Sequence, residues 1–153
     1  MKKIVHQAEY CMACRLCTVY CSAAHAAPGL DLVKAFKQSK APPAGIRIEE
    51  GAEMALALSC RHCDQPDCVT SCITGALTKD PITGVVACET AKCVGCWTCV
   101  VACPYGMISI SSPDQLKPQA SKCDLCSGIA AVPLCVQHCP NEALKWVEEV
   151  EAG

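Results

Sequence analysis

Aromatic side chains are scarce in this chain of 153 residues, which carries one Phe, three Tyr and two Trp. A core that poor in aromatics is thin for an ordinary fold and predicts that something other than side-chain packing staples it. No apolar stretch approaches the length needed to span a bilayer. A secretory h-region is missing too, because Met1-Lys2-Lys3 leads into Ile4-Val5-His6-Gln7-Ala8-Glu9, and there is no twin-arginine signal. These absences predict a reducing cytoplasm, where thiols persist and metals claim them, and argue against a secreted disulfide framework. Basic excess is absent: 13 Lys and Arg against 15 Asp and Glu give a formal charge of -2, the wrong sign for nucleic-acid binding. No nucleophile-base pair, glycine-rich phosphate loop or dinucleotide fingerprint is found, so substrate chemistry is expected to reside in another protein.

Cysteine is what the chain has in excess. Sixteen of the 17 fall into four groups of four. Cys11, Cys14, Cys17 and Cys21 form the first, and Cys93, Cys96, Cys99 and Cys103, followed by Pro104, form the third; both have the spacing C-x2-C-x2-C-x3-C. Cys60, Cys63, Cys68 and Cys72 form the second, and Cys123, Cys126, Cys135 and Cys139, followed by Pro140, the fourth; each keeps the C-x2-C opening and the C-x3-C close around a longer middle. In such runs three cysteines wrap one [4Fe-4S] cluster and the fourth ligates a neighbouring one. A two-residue gap lets one short loop reach three corners of the cubane, whereas the C-x3-C step moves about one helical turn onward and aims the last thiol away. Sixteen thiolates match four cubanes. Small residues such as Ala13, Gly95 and Thr98 let the backbone approach the inorganic core, and Pro104 and Pro140 stop helical continuation. With four oxidised cores and sixteen thiolates the net charge falls to about -10, so a basic patch on a redox partner is the expected docking surface.

Two rival classes are weighed by the same spacing. A zinc-stabilised interaction module also uses C-x2-C pairs, but three cysteines within seven residues, twice, suit a cubane better than separated zinc knuckles. A cluster-assembly carrier needs labile ligands, whereas fourth ligands exchanged between neighbours imply retention.

With the groups laid out, the chain resembles the four-cluster electron-transfer subunits of complex oxidoreductases, the family that includes the beta subunits of dimethyl sulfoxide reductase and formate dehydrogenase. Cys60-Arg61-His62-Cys63-Asp64-Gln65-Pro66-Asp67-Cys68, the run from Lys92 to Gly106, and Lys122-Cys123-Asp124-Leu125-Cys126 carry the likeness. The compact length and the segment Cys11 to His25 are more similar to the electron-transfer protein associated with carbon monoxide dehydrogenase. The resemblance implies an α+β fold of two dicluster ferredoxin-like units related by a pseudo-two-fold axis. It also implies that the first group pairs with the fourth and the second with the third. Carried over, cluster A takes Cys11, Cys14, Cys17 and Cys139; cluster B takes Cys123, Cys126, Cys135 and Cys21. Cluster C takes Cys60, Cys63, Cys68 and Cys103, and cluster D takes Cys93, Cys96, Cys99 and Cys72. Half one is then 1–30 plus 118–153, half two is 54–112, and 31–53 is an insert covering cluster faces. Ser22 and Ile73 stand where a proline often follows the last cysteine, and Trp97 lies beside a ligand rather than replacing one.

The function so implied is electron transport in anaerobic metabolism, with no substrate site of the chain's own. The preferred partners are carbon monoxide dehydrogenase and a flavin NAD(P)H oxidoreductase. The alternatives are a tungsten aldehyde oxidoreductase, a formate dehydrogenase or other molybdenum enzyme, or a hydrogenase.

Strands are expected at Lys3–Gln7, Met54–Leu58, Val85–Cys88 and Ala143–Glu148, with Ile46–Glu49 alternating like an exposed strand. A short helix is expected around Leu30, Asp31, Val33 and Phe36-Lys37, ended by Ala41-Pro42-Pro43-Ala44-Gly45. Short helical turns opening into strands follow Cys72, Cys103 and Cys139. Cys88 reads as a buried non-ligand thiol, Trp97 as a shield between a cluster and water. His62 and His138 read as surface or neighbouring imidazoles, His6 and His25 carry little signal, and Met12, Met54 and Met107 read as apolar filler.

Overall fold

Two-stranded ribbons, four of them and all antiparallel, make up the β-structure of the computed structural model, which describes residues 2–26, 32–37, 43–110 and 118–148. β1 (Lys2–His6) pairs with β8 (Leu144–Glu148), Ile4 opposite Trp146, which ties the two ends of the chain together. β2 (Ile46–Glu50) pairs with β3 (Ala55–Ser59), β4 (Leu77–Lys79) with β5 (Val86–Cys88), and β6 (Ile108–Ile110) with β7 (Ala120–Lys122). The turn between β4 and β5 is set by Asp80, whose Oδ1 accepts the Ile82 and Thr83 N–H groups at 2.8 Å each.

An isolated two-stranded ribbon is marginal in water, so each must be held from outside. Five helices and the cysteine loops hold them. α1 (Leu16–Ala26) is the longest, 11 residues, because no proline follows Cys21 and the helix runs on through it. α2 is Leu32–Lys37 and α3 is Asp67–Thr70. α4 (Thr98–Ala102) stops just before Cys103-Pro104, and α5 (Leu134–Gln137) just before His138-Cys139-Pro140, where the residue ahead of a proline disfavours helical backbone. The α+β class is therefore the observed one.

Two cores form, and cysteines contribute to both. Cys17, Cys21, Ile46, Ala57, Cys135 and Leu144 make one. Ala76, Leu77, Val86, Cys93, Cys99, Ile108 and Ala120 make the other. The strand β3, which the sequence reading places at the start of half two, contributes Ala57 to the first core. β7, placed there in half one, pairs with β6 and contributes Ala120 to the second.

The anticipated strands appear within one residue of their expected starts, and α2 occupies the expected helical segment; Leu30, Asp31, Ala41 and Pro42 lie outside the described residues. Two expectations need correction, and one strand is unanticipated. β2 is not simply exposed: Ile46 is 1% accessible, because the insert turns inward against Cys21 and Cys123. Met107 is buried filler, but Met12 and Met54 are 60% and 64% accessible. β7 had no counterpart, since Ala-Ser-Lys shows neither alternation nor β-branching and owes its strand to β6.

Candidate functional site

The four cysteine loops repeat at the level of the backbone. In each, the residue before the second cysteine adopts a left-handed conformation: Ala13 (φ 54°), His62 (φ 49°), Gly95 (φ 70°) and Leu125 (φ 59°). In the first and third groups the residue after that cysteine does so as well, Arg15 at 60° and Trp97 at 63°. Only one of these six positions is glycine, so five L-residues adopt a turn they ordinarily disfavour, backbone strain of the kind that clusters at binding sites. Three groups also close alike: Gly75, Gly106 and Glu142, each three residues past the last cysteine, have positive φ and return their N–H to that cysteine's carbonyl at 3.1 to 3.2 Å. The first group departs from this because α1 carries straight on.

The loops of the first three groups shape pockets around their thiols. Cys11, Cys14, Cys17 and Cys139 line one cavity, walled by Tyr10, Ala13, Ile48 and Leu144 among others. Cys60, Cys63, Cys68 and Cys103 line a second, with His62, Val86, Tyr105 and Met107 in its wall. Cys72, Cys93, Cys96 and Cys99 line a third together with Cys88 and Trp97. The remaining four also converge: Cys135 feels the charges of Cys123, Cys21 and Cys126, and Cys126 that of Cys21. Every set combines three cysteines of one group with one of another.

The elements that do this come in pairs. Cys17 and Cys21 lie one turn apart on α1, and Cys135 and Cys139 likewise at α5, so the packed α1–α5 pair faces two thiol sets at once. Cys68 and Cys72 at α3, packed on α4 with Cys99 and Cys103, repeat the arrangement. The two pairs meet where Cys60 lies close enough to raise the Cys123 thiol. At that junction Lys122, buried, donates from Nζ to the Cys123 carbonyl at 2.6 Å and to the Val86 carbonyl.

The thiols are built to be neutralised by a positive core. Burial pushes Cys17 up to about 11 and Cys123 up to about 12, and drives Cys135 upward as well, with neighbouring cysteines adding to each shift. Such groups stay protonated until a cation takes the proton's place, which couples loading to folding. Backbone N–H groups already point at sulfur: Gly45 to Cys21 Sγ (3.2 Å), Met107 to Cys103 Sγ (3.4 Å), Leu125 to Cys123 Sγ (3.4 Å) and Leu77 to Cys72 Sγ (3.5 Å). Among the described residues no three His, Cys, Asp or Glu side chains converge closely enough for a single metal ion. The donor sets, four thiols drawn from two groups with backbone N–H groups aimed at sulfur, fit the chemistry of an iron-sulfur cluster.

Residues 53–149 match the model of a 4Fe-4S dicluster domain. The chain belongs to this iron-sulfur family. Electron transport protein HydN of Escherichia coli K12 is 32% identical over 95% of this chain and 87% of its own length. Thiosulfate reductase electron transfer subunit PhsB of Salmonella typhi is 33% identical over 94% and 73%. An iron-sulfur protein of Rhodospirillum rubrum is 30% identical over 92% and 78%. The chain also matches a part of the putative oxidoreductase AegA of E. coli K12, spanning 22% of that protein at 32% identity. Among solved structures, the active site complex BamBC of benzoyl coenzyme A reductase as isolated contains a chain that matches all of this one and 81% of itself, at 26% identity and a TM-score of 0.50. The protein is accordingly an iron-sulfur electron-transfer protein of the oxidoreductase-subunit kind.

The iron-sulfur protein's other singled-out residues fall as follows. Trp97 is half-buried in the wall of the third cavity. Cys88, half-buried rather than buried, lines the same cavity, its thiol pushed up to about 11 by burial, then by Cys93, Cys99 and Cys72. His138 stacks on Tyr20, ring centroids 3.5 Å apart, and His6 meets Ser59 Oγ at 3.0 Å. His25, which carries little signal in the sequence, is tied on both ring nitrogens. Its Nε2 donates to Asp124 at 3.1 and 3.2 Å and its Nδ1 to the Cys21 carbonyl at 2.8 Å, and two acceptors on two ring nitrogens hold the imidazolium well above its usual range. Gly45 is more than part of a helix-ending stretch and Lys122 more than part of a family likeness; a glycine preceding an isolated Ile-x-Ile strand, and a lysine immediately ahead of a cysteine run, are the available signals of their closer roles.

Proposed function

We propose that this chain carries four [4Fe-4S] clusters in the order A, B, C, D and relays single electrons between a catalytic oxidoreductase subunit and a second redox protein. The observation that supports the proposal is that three cavities are each lined by three cysteines of one group and one of another, and that the remaining four cysteines lie within one another's electrostatic reach. Cys17–Cys21 and Cys135–Cys139 link A to B, Cys123 beside Cys60 links B to C, and Cys68–Cys72 with Cys99–Cys103 link C to D. When bound, such clusters supply one-electron storage at potentials set by hydrogen bonds, charge and exposure.

The chain's own residues give the line two ends. Cys14, in the first set, and Cys96, in the last, are the exposed cysteines, while every cysteine of the two inner sets is buried or half-buried. Exposed apolar side chains surround both ends: Tyr10, Met12 and Leu16 beside Cys14, and Ile73, Val94 and Val101 about the loop and helices that carry Cys96. A partner docking on either patch excludes water and comes near the first or last cluster, without contact to the middle. Lys122 places a buried cation between the two inner thiol sets, where clusters of net negative charge would otherwise repel. No substrate site is assigned to the chain, and substrate chemistry belongs to the partner.

The relatives' names favour this class of partner, since PhsB is named as the electron transfer subunit of a reductase. Within it we prefer carbon monoxide dehydrogenase as donor and a flavin NAD(P)H oxidoreductase as acceptor, on the likeness of the segment Cys11 to His25. A tungsten aldehyde oxidoreductase, a formate dehydrogenase or a hydrogenase is the alternative. The test is anoxic purification with iron and sulfide analysis, then native pull-down. About sixteen iron and sixteen sulfide per chain are expected from four cubanes. Iron near eight refutes the four-cluster reading. If the preferred partners are right, adding the protein greatly accelerates carbon monoxide-dependent reduction of the flavin enzyme; equal rates with and without it refute that pairing.

A further inference from the structure

His62 is 3% accessible and stands between two proposed ligands, Cys60 and Cys63, in the wall of the cavity those cysteines line. Its Nδ1 accepts the Val86 backbone N–H at 2.9 Å. A ring nitrogen that accepts carries no proton, so the imidazole is neutral and its proton sits on Nε2. Val86 is fully buried, and its carbonyl is held from the other side by Lys122 Nζ, so the donor that selects this tautomer cannot swing away. Nε2 is itself buried and has no hydrogen-bond partner among the described residues. A buried N–H left without an acceptor is costly and rare in native structures, which makes the orphan a pointer to something that fills the cavity.

The loop does not need a histidine for its shape. The equivalent positions in the other three groups hold Ala13, Gly95 and Leu125, none with a polar side chain, and all take the same left-handed turn. His62 bears the same backbone strain with a larger ring. Its polar edge is therefore the feature peculiar to this loop.

We propose that His62 Nε2–H donates a hydrogen bond to the cluster held by Cys60, Cys63, Cys68 and Cys103, on a sulfide or a cysteine sulfur, and so raises the reduction potential of that one cluster among the four. The inference deepens the four-cluster reading and rests on it. A donor to cluster sulfur stabilises the more negative, reduced form over the oxidised one. The role is one of tuning and needs no protonation change.

The experiment uses the intact holoprotein reduced in steps under anoxic conditions. With 15N-histidine labelling, pulsed electron paramagnetic resonance of the wild type is expected to show a nitrogen coupled to one cluster, and this coupling disappears in His62→Leu. In redox titrations His62→Leu is expected to shift one cluster by at least tenfold in its reduced-to-oxidised ratio at fixed potential, about 59 mV for one electron, downward. The other clusters stay put. His62→Gln, whose amide can both accept from Val86 and donate onward, is expected to recover most of the shift. If His62→Leu fails to load, the wild-type coupling still decides the matter. Wild-type iron near sixteen per chain with no histidine nitrogen coupled to any cluster overturns the His62 assignment alone. Iron near eight, with no cluster lost on Cys60→Ser, overturns the reading beneath it and the assignment together.

Discussion

Gly45→Ala tests the enclosure proposed for cluster B without touching any of its proposed ligands. A Cβ built on Gly45 lies 2.7 Å from both the N and Cα of Cys123 and 3.0 Å from its Cβ, against about 3.5–4.0 Å for an ordinary carbon contact. None of these atoms belongs to a flexible side-chain end, so either the Cys123 backbone or the insert must move. The same displacement loosens the 3.2 Å approach of the Gly45 N–H to Cys21 Sγ, on the other side of the same thiol set. Overpacking of this kind costs about 1–3 kcal/mol. Gly75→Ala is the control: its φ is +63° and nothing lies within 4 Å of the added Cβ, so only the left-handed backbone is penalised, at about 1–2 kcal/mol. At roughly 2–4 °C per kcal/mol for a chain of this size, the shifts in the temperature at which the visible absorbance bleaches overlap. Iron content separates them. Gly75→Ala is expected to keep its full complement, and Gly45→Ala to lose about a quarter of it, the share of one cubane in four. Full iron in Gly45→Ala, with bleaching at the control's temperature, refutes the claim that the insert fits against Cys123 and Cys21 this closely.

Cys139→Ser is expected to perturb the cluster of Cys11, Cys14 and Cys17, far away in sequence, and to leave that of Cys123, Cys126 and Cys135 intact; paramagnetic resonance of the reduced variant checks it, and damage confined to the latter set contradicts the crossed pairing. Cys88→Ser is expected to leave iron unchanged despite lining the same cavity as Cys72, Cys93, Cys96 and Cys99, because it lies outside the four groups, on a strand opposite Leu77, and those four thiols already supply one ligand to each corner of a cubane; a fall in iron refutes its non-ligand role. Asp124→Asn is expected to destabilise by about 1 kcal/mol around neutral pH, as breaking a partly exposed ion pair does. His25 is raised by the Asp124 hydrogen bond, so its contribution is complete below its ordinary 6.5 and is lost as pH rises through the raised value; burial works to raise Asp124, but His25 and the Cys126 N–H bring it down, so its contribution is complete above 3.8 and is lost as pH falls through the lowered value. Bleaching temperatures of variant and wild type should therefore converge in strong acid and in strong alkali, and a constant gap across pH would refute the pairing.

Much of the chemistry was legible in the residues because cubane ligation is a local matter of spacing: a C-x2-C loop reaches neighbouring iron corners whatever surrounds it. Four groups, the strands flanking them and the stops at Pro104 and Pro140 follow from short-range geometry, and the family likeness supplied an expected exchange of fourth ligands. Tertiary structure decided what depends on distant partners. That Ile46 turns inward, that β7 is a strand, that β3 sides with the first core and Ala120 with the second, all require elements far apart in sequence to meet. So does the environment of His62, where Val86 chooses the tautomer from 24 residues away, and that of His25, whose carboxylate partner lies 99 residues on. Ligand spacing is written along the chain, whereas burial, hydrogen-bond partners and the line in which the thiol sets adjoin arise only when the chain closes on itself.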